Sequence, residues 1–122
     1  AATGDTKTAV NKAYELNLNN ESDNQVKRLL AWVLICDGNA EKALNIYNEL
    51  INTDKQPDDA LNMAYAYWIS GNPTEAKTSF TEWLINHPGA NLEHEFENDS
   101  YVFKPNGITE VDRALMLSAI NR

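Results

Sequence analysis

Cationic side chains are scarce: 10 Lys and Arg stand against 18 Asp and Glu, a formal net charge of −8. A chain this acidic repels phosphate backbones and anionic lipid surfaces, which argues against nucleic-acid and membrane partners. Cysteine occurs once, as Cys36. An intramolecular disulfide is therefore excluded, and so is a zinc site built from thiolates. No apolar run approaches the roughly 18 residues of a membrane span. With five Gly and four Pro in 122 residues, an all-β architecture with many tight turns is disfavoured. Phosphate-cradling glycine loops, a nucleophile elbow and a Ser/His/Asp set are all missing, and two histidines leave few acid–base pairings. No catalytic residue, cofactor or metal is expected on that basis. The opening residues Ala1, Ala2, Thr3, Gly4 and Asp5 are small and polar, unlike a secretory leader. A first residue other than Met reads as a processed chain or a piece of a longer one. An unpaired thiol fits the cytoplasm as well as a periplasmic domain, with the cytoplasm favoured.

What is present is helical periodicity almost throughout. From Thr6 to Asn19 the apolar residues Ala9, Val10, Ala13 and Leu16 face away from a polar side. Ser22, with Gln25 three residues on, reads as a capping box opening a second helix through Val26, Leu29, Leu30, Val33 and Leu34. That helix stops at Asp37, Gly38 and Asn39, and a third runs from Ala40 to about Asn52. Pro57 suits a first helical position of a fourth, which ends at Ser70, Gly71 and Asn72. Pro73 opens a fifth, which stops before His87. In the tail, Leu92 to Glu97 suggests a short helix. Asn98 to Gly107 reads as a loop with a turn at Lys104, Pro105, Asn106 and Gly107, and Tyr101 to Phe103 is the one stretch compatible with a strand. Thr109, with Asp112 three residues on, caps a last helix.

A shift of 33 positions superposes the chain on itself. Gly38 falls on Gly71, Ala43 on Ala76, Tyr47 on Phe80, Leu30 on Met63, Ala31 on Ala64, Leu34 on Tyr67 and Leu50 on Trp83. Small residues meet small ones and large apolar residues meet large ones. The period and the small-residue placement resemble the tetratricopeptide repeat, two antiparallel helices in ~34 residues with a Pro near the end. The segment from Pro57 to Pro88 carries the resemblance best, through Ala60, Met63, Ala64, Tyr67, Gly71, Ala76, Phe80 and Pro88. The preceding unit departs from it at Lys27, where an aromatic is usual, and at Lys55, where Pro is usual. The resemblance spans about residues 6 to 88. It implies an all-α, right-handed superhelix of antiparallel helix pairs in one domain: a leading helix at 6–23, repeats at 24–56 and 57–89, and a degenerate repeat or C-terminal cap at 90–122.

Removing the packing face from the first helix of each repeat leaves Arg28, Trp32 and Ile35 in one and Leu61, Tyr65 and Trp68 in the other, each 33 after its counterpart. In the family this face lines a concave groove that holds peptides, with Trp and Tyr as anchors. Arg28 suits a ligand carboxylate. The same face also reads as structural core or as a self-association surface. The family's two-carboxylate clamp is not offered: Leu29 follows Arg28, Asn62 follows Leu61, and Asp58 lies one turn earlier. Trp83 reads as a local core adjustment, and Cys36 beside Asp37 as an inert thiol. The acidic run Glu93, Glu95, Glu97 and Asp99 reads as solvated surface. Glycosylation-type triplets at Asn20 and Asn98 are of a kind that arises by chance in an Asn-rich chain.

The resemblance thus implies a protein-interaction module with no chemistry of its own, binding a protein or peptide partner. The alternatives are an acidic chaperone for a hydrophobic client segment, or a terminal cap or homo-oligomerisation part of a longer helical-repeat protein.

Overall fold

The computed structural model describes residues 2–19 and 23–120, with side chains in the first helix described from Lys7 onward. All regular structure among them is helical: α1 (Ala2–Asn19), α2 (Asn24–Cys36), α3 (Ala40–Thr53), α4 (Asp59–Ile69), α5 (Pro73–Asn86), α6 (Leu92–Asn98), α7 (Ser100–Phe103), a 3-10 turn (Lys104–Asn106) and α8 (Glu110–Ile120). Each of the first four packs on the next, and α8 packs on α5 and α6.

Local chemistry explains the helix ends. The cap expected at Ser22 lies outside the described residues. Asp23 caps α2, its carboxylate accepting from the amides of Gln25 (2.9 Å) and Val26 (3.4 Å). Pro57 does not begin α4; it sits in the preceding turn, and the helix starts at Asp59. Pro73 does open α5, where its missing N–H leaves no helix bond unmade. The predicted capping pair at the start of α8 forms. The Thr109 amide donates to Asp112 Oδ2 at 2.9 Å, and the Asp112 amide donates to Thr109 Oγ1 at 3.2 Å.

The 33-residue repeat extends to individual hydrogen bonds. After α2, Gly38 N–H donates to Ile35 C=O (3.1 Å) and Asn39 N–H to Leu34 C=O (2.8 Å). After α4, Gly71 N–H donates to Trp68 C=O (3.1 Å) and Asn72 N–H to Tyr67 C=O (2.8 Å). Both are Schellman closures with glycine in the left-handed region, at φ 84° and 89°. Gly71→Ala should therefore cost about 1–2 kcal/mol through backbone strain alone, because a methyl added there meets no atom within 4 Å. Urea unfolding of the variant measures it.

The stretch read as a loop holds α7 and the 3-10 turn, and its Tyr101–Phe103 segment is helical rather than extended. It ends on the same device: Gly107 (φ 77°) donates to Lys104 C=O and Ile108 to Phe103 C=O. Gly107 follows Gly71 by 36 residues, three more than the repeat period, and the helix leading to it is broken at Asp99 into α6 and α7.

The core forms where the repeat places small residues against large ones. Ala31, Ala43, Ala64 and Ala76 are fully buried and let the helices approach, while Leu34, Tyr47, Leu50 and Phe80 fill the space between.

Candidate interaction surface

Of the six residues of the predicted groove, Trp32 and Tyr65 meet where α2 touches α4. The rings of Trp32 and Tyr65 lie 6.2 Å apart, and Arg28 on α2 reaches Asp59 at the start of α4. The face they form is covered by the chain's own C-terminal segment. Phe103 sets its ring edge-on to Tyr65 at 5.2 Å and against Trp68 at 5.3 Å, and Phe96 lies 5.4 Å from Trp68. Tyr65 Oη donates to Asp99 Oδ2 at 2.7 Å. Burial, with that carboxylate beside it, pushes the phenol's pKa well above its ordinary value.

This segment also passes beyond the neighbouring helix. Tyr101 meets Trp32 on α2 edge-on at 6.4 Å, and Asn106 Nδ2 donates to Ile35 C=O at 3.4 Å and to Val102 C=O at 2.7 Å. In a regular solenoid each unit touches only its neighbours. Here the C-terminal segment lies across the faces of α2 and α4 that carry Trp32, Tyr65 and Trp68. Ile35, Leu61 and Tyr65 are buried, and Trp32 and Trp68 are half-buried.

Arg28 is engaged within the chain rather than held out to a ligand. Its Nε donates to Asp59 Oδ1 at 2.9 Å and its Nη2 to Asp59 Oδ2 at 3.1 Å, a bidentate pair. It also contacts the Asp54 carboxylate and backbone carbonyl. Hydrogen bonds from Gln56, Arg28 and Asn24 hold the Asp54 carboxyl below the usual carboxylate range.

The remaining sequence candidates take up structural positions. Trp83 is buried, donates from Nε1 to Asp58 Oδ1 at 3.3 Å and stacks on His87 at 4.6 Å. Within the acidic run, Asp99 turns inward to Tyr65, and no group of three His, Cys, Asp or Glu capable of holding a metal occurs among the described residues. Burial, reinforced by Asp99, pushes the Cys36 thiol up to about 11. Iodoacetamide should therefore label it slowly at pH 8 in the folded chain and rapidly in urea, as a mass-spectrometric time course would show.

Periodicity did not single out Phe96, Val102, Phe103 and Asn106 as the residues that close the inner face. Phe96 and Phe103, seven apart, are the one available hint, since that spacing is two helical turns.

The closure leaves a groove of about 690 Å³ between α5 and α8. Trp68, Ile108 and Met116 line its apolar part, Pro73, Thr74 and Lys77 come from α5, and Asp112, Leu115 and Ala119 come from α8. Trp68 is the residue through which the predicted face reaches this groove. On the other flank of α8 lies a second depression, lined by Glu93, Glu97, Glu110 and Arg113 among others. Between the two, Val111 and Leu115 stand 67 % and 64 % exposed. No helix among the described residues is long and apolar enough to cross a membrane. No protein-family model, curated protein or solved structure matches the chain.

Proposed function

We propose that this chain is a protein-interaction module built of tetratricopeptide-like helix pairs, and that its partner surface is the groove beside α8. The observation that carries the reading is the groove itself. An apolar cleft of about 690 Å³ that contains Trp68 and is edged by the exposed Leu115 has the make-up of a protein-docking site, an aromatic anchor within a polar rim. The repetition of the Gly38 turn at Gly71 supports the helix-pair construction. Burial of Ile35, Leu61 and Tyr65 moves the expected contact away from the inner face.

A second reading has its own support. On α1, Tyr14 and Leu18, one turn apart, are exposed, the kind of face that a further helix pair would cover in a longer array.

One experiment separates the two. Wild type, Leu115→Arg and Leu18→Arg would each serve as bait in native extract, with helicity checked by circular dichroism. The groove reading expects a bound protein retained by wild type and Leu18→Arg and lost with folded Leu115→Arg. Loss with Leu18→Arg alone would move the interaction to α1.

A further inference from the structure

We propose that the pocket lined by α1, α2 and α3 binds a free α-amino acid with an apolar side chain. It shares no residue with the groove beside α8, so the proposal is independent of the partner surface assigned above.

The 33-residue register singles the pocket out. Tyr14, Tyr47 and Phe80 hold one register position, and Asn17, Leu50 and Trp83 hold the next on the same face. Tyr47, Leu50, Phe80 and Trp83 are buried. On α1 the same positions behave differently. Tyr14 stands 38 % exposed, and Asn17 puts an amide where the later units put a large apolar side chain. Two further departures fall beside it. Lys27 stands in the register of the buried Ala60, and Lys42 in that of Glu75. All three polar replacements line one pocket of about 320 Å³, within the range of small-molecule sites.

Asn17 is a poor choice for packing alone. Its Oδ1 is buried and has no hydrogen-bond partner among the described residues, a costly state for an acceptor. Leucine, used at the equivalent position of the next unit, carries no such cost. A local departure that costs stability marks a place where something other than the fold sets the residue.

The lining names the ligand. Lys42 has no ion-pair partner among the described residues, and Lys27 makes only a loose contact of 3.7 Å to Glu49. Two ammonium groups at one pocket call for a carboxylate. Asn17 Oδ1 calls for a donor, and Glu49, which also lines the pocket, favours a cationic one. Leu30, Leu34 and Ile46 supply an apolar wall for a hydrocarbon side chain. An acid without an amine leaves Asn17 unmet, and an amine without an acid faces the two lysines.

The test is isothermal titration of the full chain with L-leucine, L-methionine and L-phenylalanine. At least one should bind saturably, one per chain, and should raise the urea midpoint. The corresponding deaminated acid and decarboxylated amine (4-methylpentanoate and 3-methylbutylamine for leucine) should each bind about tenfold more weakly or worse. Lys42→Glu, at an exposed position, installs the charge of the next unit and should weaken binding about tenfold or more. Asn17→Leu should raise the urea midpoint of the ligand-free chain and abolish binding, a pairing that a purely structural role does not produce. Leu115→Arg should bind as wild type does. No saturable binding of any of the three up to about 10 mM would overturn the proposal. So would binding that survives both Lys42→Glu and Asn17→Leu. A deaminated acid that binds as tightly as its amino acid would overturn the amino-acid assignment.

Discussion

Arg28→Met should lower the free energy of unfolding by about 3–5 kcal/mol, the cost of leaving a buried charge without its partner. The stranded charge is Asp59, whose side chain is 2 % exposed, against 13 % for Arg28. Asp59 has little access to water, and its other contact is the Gln56 amide at 2.9 Å. The pair ties α2 to the start of α4, so its loss loosens the junction between the two repeats. Replacing both partners, as in Arg28→Met with Asp59→Leu, should recover most of the loss, since apolar groups of similar size avoid the desolvation altogether. Urea unfolding of the two single variants and the double variant gives the coupling directly. A cost below about 1 kcal/mol for Arg28→Met would place the pair among solvent-screened surface bridges instead.

Phe103→Ala should cost about 3–5 kcal/mol, the usual range for truncating a buried Phe. Phe103 is fully buried and touches Tyr65, Trp68 and Phe96, with the Arg113 guanidinium 5.7 Å from its ring centre. It is the residue that holds the third unit down on the first two. Its removal opens a cavity beside Trp68, so the tryptophan emission should shift to the red as water gains access. Tyr101→Ala, two residues away but 59 % exposed, should cost about 0.5 kcal/mol or less. A small loss at both positions would mean that the segment rests on the inner face without contributing to the core.

The division between what the sequence announces and what it conceals follows the range of the interactions. The helices through Asn86 are legible because their apolar spacing is local, and the Gly38 and Gly71 turns because only glycine adopts that backbone conformation readily. The Thr109–Asp112 cap is a three-residue signal, and it forms as read. The segment from Ser100 to Asn106 misleads because Lys104, Pro105, Asn106 and Gly107 carry strong turn chemistry, yet the first three continue from α7 as a 3-10 turn. Its burial is not written locally at all. Asn106 reaches Ile35 across 71 residues, and Tyr65 finds Asp99 across 34. The six groove residues were recognisable as one face. What covers that face depends on contacts that no local period encodes.

The central claim is that the C-terminal segment lies across the aromatic face of α4 and reaches α2. Proton–proton nuclear Overhauser effects between aromatic rings test it most directly. Cross-peaks between Tyr65 and Phe103, with ring centres 5.2 Å apart, and between Trp32 and Tyr101, at 6.4 Å, are the predicted result. Sharp, solvent-exchanging Tyr65 and Trp32 signals without those cross-peaks would contradict it, and would return the inner face to the surface as an open groove.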